Sequence, residues 1–73
     1  MERLIVEAQN LKSVGYEARK QDLEIELQTG VVYLYMGVPA QTYLSLMNSE
    51  DKDVYFDRNI KDVFIFKKVK QAG

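Results

Sequence analysis

Residues 22–28, DLEIELQ, alternate without a break: Leu23, Ile25 and Leu27 share one face, and Asp22, Glu24 and Glu26 the other. A period of two excludes a helix here, because 100° per residue would scatter the acids across the apolar side. The segment needs one dry face and one wet face, as in an antiparallel strand covered on one side only. The adjoining QTG and VVYLYM set the hairpin register. A two-residue loop at Thr29-Gly30 demands a positive φ at Thr29, which is costly for a β-branched residue. It would also set Tyr33 and Tyr35 on the outer, acidic face. A three-residue loop over 28–30 gives the left-handed position to Gly30 instead. It pairs Leu27 with Val31, Ile25 with Tyr33 and Leu23 with Tyr35, turning both tyrosines toward the core side. We read this second register, in which the two rings pack inward and their hydroxyls reach polar partners.

Around this hairpin the chain reads as one α+β unit. Residues 11–17, LKSVGYE, form a strand with Leu11, Ser13 and Gly15 on one face, Val14 and Tyr16 on the other, and Gly15 marking a bulge or a close approach. Gly37-Val38-Pro39 ends the tyrosine strand and begins a helix, since proline suits the first helical position. Ala40, Tyr43, Leu44 and Met47 recur at helical spacing, a stripe able to cover the sheet, and Asn48 is a left-handed stop. After the polar connector SEDKD, Phe56, Ile60, Val63 and Phe64 mark a second, shorter helix ending near Asp62. FIFKKV, residues 64–69, is then an extended or strand-like C-terminal tail able to return to the sheet edge. The expected architecture is a three-stranded antiparallel β-meander, one helix and a second short helix. Residues 1–9 form an N-terminal arm, 10–69 a single domain and 70–73 a tail.

A chain of 73 residues with neither cysteine nor histidine excludes much chemistry. No disulfide framework or thiol nucleophile exists, and the commonest general base and metal ligand is missing. Ser13, Ser45 and Ser49 therefore lack an activating imidazole, and Lys52 is only a loop neighbour of Ser49. Asp51, Asp53, Asp57 and Asp62 fall at positions 1, 3, 7 and 12 of a calcium-loop template. Phe56, however, stands where that loop needs glycine, and Tyr55 replaces an oxygen ligand. Asp53 and Asp57 are better read as acids near a helix N-terminus. We expect no catalysis, no cofactor and no metal. The apolar run in MERLIVEAQN is too short for a signal sequence or a membrane span, so we expect a cytoplasmic protein without membrane contact.

Charge is unevenly spread although the formal net charge is −1. Between residues 58 and 70, Arg58, Lys61, Lys67, Lys68 and Lys70 face Asp62 alone, whereas acids dominate residues 2–26. The plain reading is a solubilising terminus. The sharper one is a phosphate-binding patch.

The segments NLKSVGYE, LEIELQTGVVYLYMGVP, YFDRNIKD and KKV together resemble the KTSC domain, named for its occurrence at the C-terminus of some lysyl-tRNA synthetases and also seen as a stand-alone small protein. The resemblance covers residues 10–69, and its most recognisable element is Tyr33-Leu34-Tyr35 followed by Val38-Pro39. It implies a compact α+β module with no established catalytic activity, and RNA binding suspected from the tRNA-enzyme context. Where such domains commonly read S-K-G this chain has Asp51-Lys52-Asp53, and a typical Y-P-Y is Phe64-Ile65-Phe66. Two functional classes are then open. In one, Arg58, Lys61, Lys67 and Lys68 meet phosphates of RNA or tRNA while aromatics such as Tyr33, Tyr35, Tyr16 or Tyr55 stack bases. In the other, an exposed strand edge, at residues 3–7 or 64–69, binds a protein partner or a second copy of the chain.

Overall fold

The computed structural model describes residues 2–71; residue 1 of the expected arm and residues 72 and 73 of the expected tail lie outside the described part. Among the described residues seven elements succeed one another: β1 (Arg3–Ile5), β2 (Leu11–Glu17), β3 (Asp22–Leu27), β4 (Val32–Met36), α1 (Ala40–Asn48), α2 (Lys52–Asn59) and β5 (Ile65–Lys70). The strands form a single antiparallel sheet in the order β1-β2-β3-β4-β5, with both helices inside the β4–β5 connection. The expected meander is its centre, but the sheet has five strands and not three. The N-terminal arm contributes a strand, with Arg3 opposite Gly15 and Ile5 opposite Ser13, and the tail pairs with β4 from Ile65 to Lys70, the ladder shifting at Val69. Neither edge carries a clean alternation of its own. Pairing there is decided by the neighbouring strand.

The tyrosine hairpin takes the three-residue register. Leu23 lies opposite Tyr35 and Ile25 opposite Tyr33, the Leu27 amide donates to the Val31 carbonyl at 2.8 Å, and Gly30 adopts φ 96°. Both tyrosines thus share the face of Leu23 and Ile25, the face the helices cover. On that face Val14, Leu23, Ile25, Tyr35, Val38, Leu46, Phe56 and Ile60 form one buried core. The opposite face carries Glu24, Glu26 and an Arg3–Glu24 ion pair at 3.2 Å.

Several local expectations are corrected. Leu11 and Ser13 do not share a face: the ladder shifts between them, so Leu11 joins the core while the Ser13 hydroxyl donates to Glu26 Oε1 at 2.7 Å. The bulge is there and not at Gly15. In α1 the buried residue is Leu46 at 0% exposure, flanked by the half-buried Tyr43 and Met47, whereas Leu44 is 51% exposed. The helix is rotated relative to the expected stripe because Tyr43 stacks on Tyr16, with centroids 4.7 Å apart and planes 8° apart. Tyr16 is held in turn by its hydroxyl, which donates to the Val38 carbonyl at 2.6 Å. Pro39 stands at the cap and not in the first turn, and Asn48 ends α1 with no left-handed residue, the adjoining Ser49 being extended. The second helix stops at Asn59, and Val63 is exposed.

Candidate functional site

The tyrosines, α2 and β5 meet along one side of the sheet. Tyr35, 2% exposed, sits edge-on to Phe56 of α2 at 5.6 Å and tilted against Phe66 of β5 at 5.2 Å. Tyr33 is half-buried and meets Phe66 edge-on at 5.4 Å. Lys68 brings its ammonium to 5.9 Å from the Tyr33 ring centroid, within cation–π range. The row Phe56, Tyr35, Phe66 and Tyr33 floors a cleft of about 410 Å³, whose walls include Leu11, Leu27, Lys61 and three acids, Asp53, Asp57 and Asp62.

These acids have different duties. Asp53, in the first turn of α2, accepts from the consecutive amides of Gln9, Asn10 and Leu11 at 2.9–3.2 Å, tying the β1–β2 connection to the helix. Asp51 caps the same helix by accepting from the Val54 amide at 3.1 Å. Asp51 therefore caps α2, and Asp53 fastens the β1–β2 connection to its first turn. Asp57 and Asp62 make neither an ion pair nor a hydrogen bond to the described residues. Their charges reach the Tyr35 phenol, which burial pushes up to about 12, with repulsion from Tyr33, Asp62 and Asp57 adding to the effect. The Tyr35 hydroxyl also lacks a hydrogen-bond partner among the described residues. In that same set no side-chain oxygen or nitrogen is both sealed from water and unpaired, so this hydroxyl opens into the cleft its residue lines.

The six residues singled out in sequence do not form one surface. Lys61, Tyr33 and Tyr35 line the cleft, and Lys68 stands at its rim beside Tyr33. Lys67 is opposite Leu34 and points to the other face of the sheet, next to the row holding Glu24. Arg58 is exposed in the last turn of α2 and does not line the cleft. Sequence reasoning missed the contribution of Phe66, Asp57 and Asp62. The signal for Phe66 was its two-residue spacing from Lys68, which puts both on one face once the tail is a strand. Among the described residues no group of three or more acids is close enough to hold a metal ion, and no helix is long and apolar enough to cross a membrane.

The fold and sequence have relatives. A crystal structure of a KTSC domain protein from Yersinia pestis superposes with a TM-score of 0.92 at 30% identity, covering 94% of this chain and 97% of that one. An uncharacterised protein of Stutzerimonas stutzeri is 30% identical over 61 residues, which is 84% of this chain and 86% of the relative. A lysine–tRNA ligase of Nostoc punctiforme is 36% identical over 59 residues, 81% of this chain but only 10% of that enzyme. The family model of the KTSC domain matches residues 7–64, and this chain belongs to the KTSC domain family.

Proposed function

We propose that the domain is a non-catalytic docking module that adds a strand of a partner protein at β5. One observation carries this reading: β5 is a six-residue edge strand exposed along its whole length, with Ile65 76%, Phe66 47% and Val69 45% exposed. An edge strand offers unpaired backbone donors and acceptors, and apolar side chains beside them reward a second strand. The other edge, β1, spans only three residues and is a poorer template. Lys67, Lys68 and Lys70 along β5 disfavour a second copy of the same basic strand and favour a different partner. Selection from a displayed library of random extended octapeptides tests this. Enriched sequences should alternate polar and apolar residues, and their binding should be lost in Ile65→Lys/Val69→Lys. Binding untouched by that variant overturns the reading.

A second reading, RNA binding, is favoured by the similarity to a stretch of a lysine–tRNA ligase and by the Lys68 ammonium beside the Tyr33 ring, with Lys61 lining the same cleft. Because Lys67 and Lys68 point to opposite faces, one RNA strand meets fewer phosphates than the four basic residues would suggest. Two contacts give a log–log salt slope of about −1.5. Titrating labelled tRNA at low and moderate salt checks it, with Lys68→Glu weakening binding and Lys67→Glu leaving it unchanged. No binding at low salt removes this reading.

A further inference from the structure

We infer that the cleft between α2 and the β4–β5 ladder receives an arginine side chain from the docked strand, its guanidinium against the Tyr33 and Phe66 rings and the Asp57 and Asp62 carboxylates. The source of the arginine rests on the docking reading above; the chemistry of the cleft does not. Three features select a cation. Asp57 and Asp62 are exposed and unpaired among the described residues, while Lys61 is the one cationic residue in the described lining. The floor is aromatic, and Lys68 at 5.9 Å shows that the Tyr33 ring already draws a positive charge on its rim side. Tyr35, 2% exposed as a residue, adds a hydroxyl that opens into the cleft without a partner among the described residues and can accept from a guanidinium N–H.

The shape of the site then selects the kind of cation. Among the described residues no three acids gather tightly enough for a metal ion, so the charge is spread along a groove and not focused in a cage. A guanidinium is flat, weakly hydrated and stacks on rings, and it donates to carboxylates through a fork. An ammonium lacks the flat face. A phosphate entering the same space would meet two unpaired carboxylates. The opening of about 410 Å³ lies within the range of small-ligand clefts. Phe66 lines the cleft from β5 itself, so a strand paired with β5 lays alternate side chains beside Phe66 on this face.

The test uses the whole chain and two probes, blocked arginine (N-acetyl-arginine amide) and its neutral isostere, blocked citrulline, followed by ring resonances in NMR. Blocked arginine should shift Tyr33, Tyr35 and Phe66, and citrulline should not. Asp57→Asn/Asp62→Asn should weaken binding about tenfold or more, the loss expected for removing charge-assisted contacts. Both residues are exposed and without partners among the described residues, so the variant retains its fold, checked by its urea midpoint. Equal shifts from citrulline, or undiminished binding by the variant, overturn the inference. A threonine–valine octapeptide carrying one arginine or one citrulline separates the two proposals. If blocked arginine binds but the arginine octapeptide gains nothing over it, the cleft chemistry stands and the strand source falls. If both octapeptides bind equally and lose binding in Ile65→Lys/Val69→Lys, the edge stands and the arginine site falls.

Discussion

Leu46 and Leu44 lie two residues apart on α1, and truncating each to alanine should give very different losses. Leu46 is 0% exposed and inside the common core, so its removal forfeits transfer energy and leaves a cavity; about 2–4 kcal/mol is expected. Leu44 is 51% exposed and leaves no closed cavity. Its loss should cost under about 1 kcal/mol, partly offset by the higher helix propensity of alanine. For 73 residues the total stability is about 4–11 kcal/mol. Leu46→Ala thus takes a large share of it, and Leu44→Ala a small one. Urea unfolding followed by far-UV circular dichroism resolves the pair: with a slope near 1 kcal/mol per molar, the midpoint should fall by about 2–4 M for Leu46→Ala and by less than about 1 M for Leu44→Ala. If Leu46→Ala is already unfolded without denaturant while Leu44→Ala is near wild type, the ranking holds. Equal losses, or a larger one at Leu44, would refute the orientation of α1 and with it the Tyr16–Tyr43 stack that sets it.

Asp53→Ala leaves three backbone amides without their carboxylate and should cost about 2 kcal/mol, limited because the exposed Gln9 and Asn10 amides regain water. Hydrogen exchange should quicken first at residues 9–11. Above pH 10 the domain should lose stability as Tyr35 ionises. Its folded value of about 12 lies above the unfolded value, so the neutral phenol stabilises the fold below pH 10 and the contribution fades between pH 10 and 12. The loss is at most about 2 kcal/mol, since the hydroxyl still meets water in the cleft, and Tyr35→Phe should flatten the alkaline limb of the urea midpoint against pH. Calcium should leave the thermal midpoint unchanged, because the Asp51 and Asp53 carboxylates are engaged by backbone amides; a rise of several degrees lost in Asp51→Ala would overturn this.

The hairpin was legible because two local signals agreed. The strict alternation of residues 22–28 fixed which face is dry, and the poor fit of Thr29 to a positive φ fixed the loop length. Where only one signal existed, the reading slipped. The helical stripe through Leu44 fits a 3.6 period as well as the stripe through Leu46 does. The choice between them came from Tyr16, a residue on another element 27 positions upstream of Tyr43. The β2 bulge was equally silent, since Ser13 finds its place through Glu26, across the ladder. Edge strands were the hardest to see: Arg3–Ile5 has three residues and no period, and it pairs only because β2 offers an open side. Of the candidate site, the aromatic floor was visible as Tyr33 and Tyr35. The acids of its wall were visible only as helix-start acids or calcium-template positions, because Asp57 and Asp62 meet the cleft only once α2 and the turn after it are folded against the sheet.

The basic C-terminal run shows why a cluster in sequence is not a patch in space. Once residues 65–70 are a strand, alternation sends Phe66 and Lys68 to the helical side and Lys67 to the other. Lys70, returned to the outer side opposite Val32 by a shift in the ladder at Val69, is close enough to Glu26 to help hold that carboxyl below its ordinary value, after the larger effects of the Ser13 hydrogen bond and of Arg3 and Lys12. The outer face is therefore a checkerboard of Arg3, Glu24, Glu26, Lys67 and Lys70, in which neighbouring charges offset one another. On the helical side Lys61 and Lys68 stand among Asp53, Asp57 and Asp62. A polyanion approaching either face meets carboxylates within the same field, so steering by net charge is weak. What β5 offers without such cancellation is its backbone, and a partner that pairs with it gains hydrogen bonds that salt does not screen.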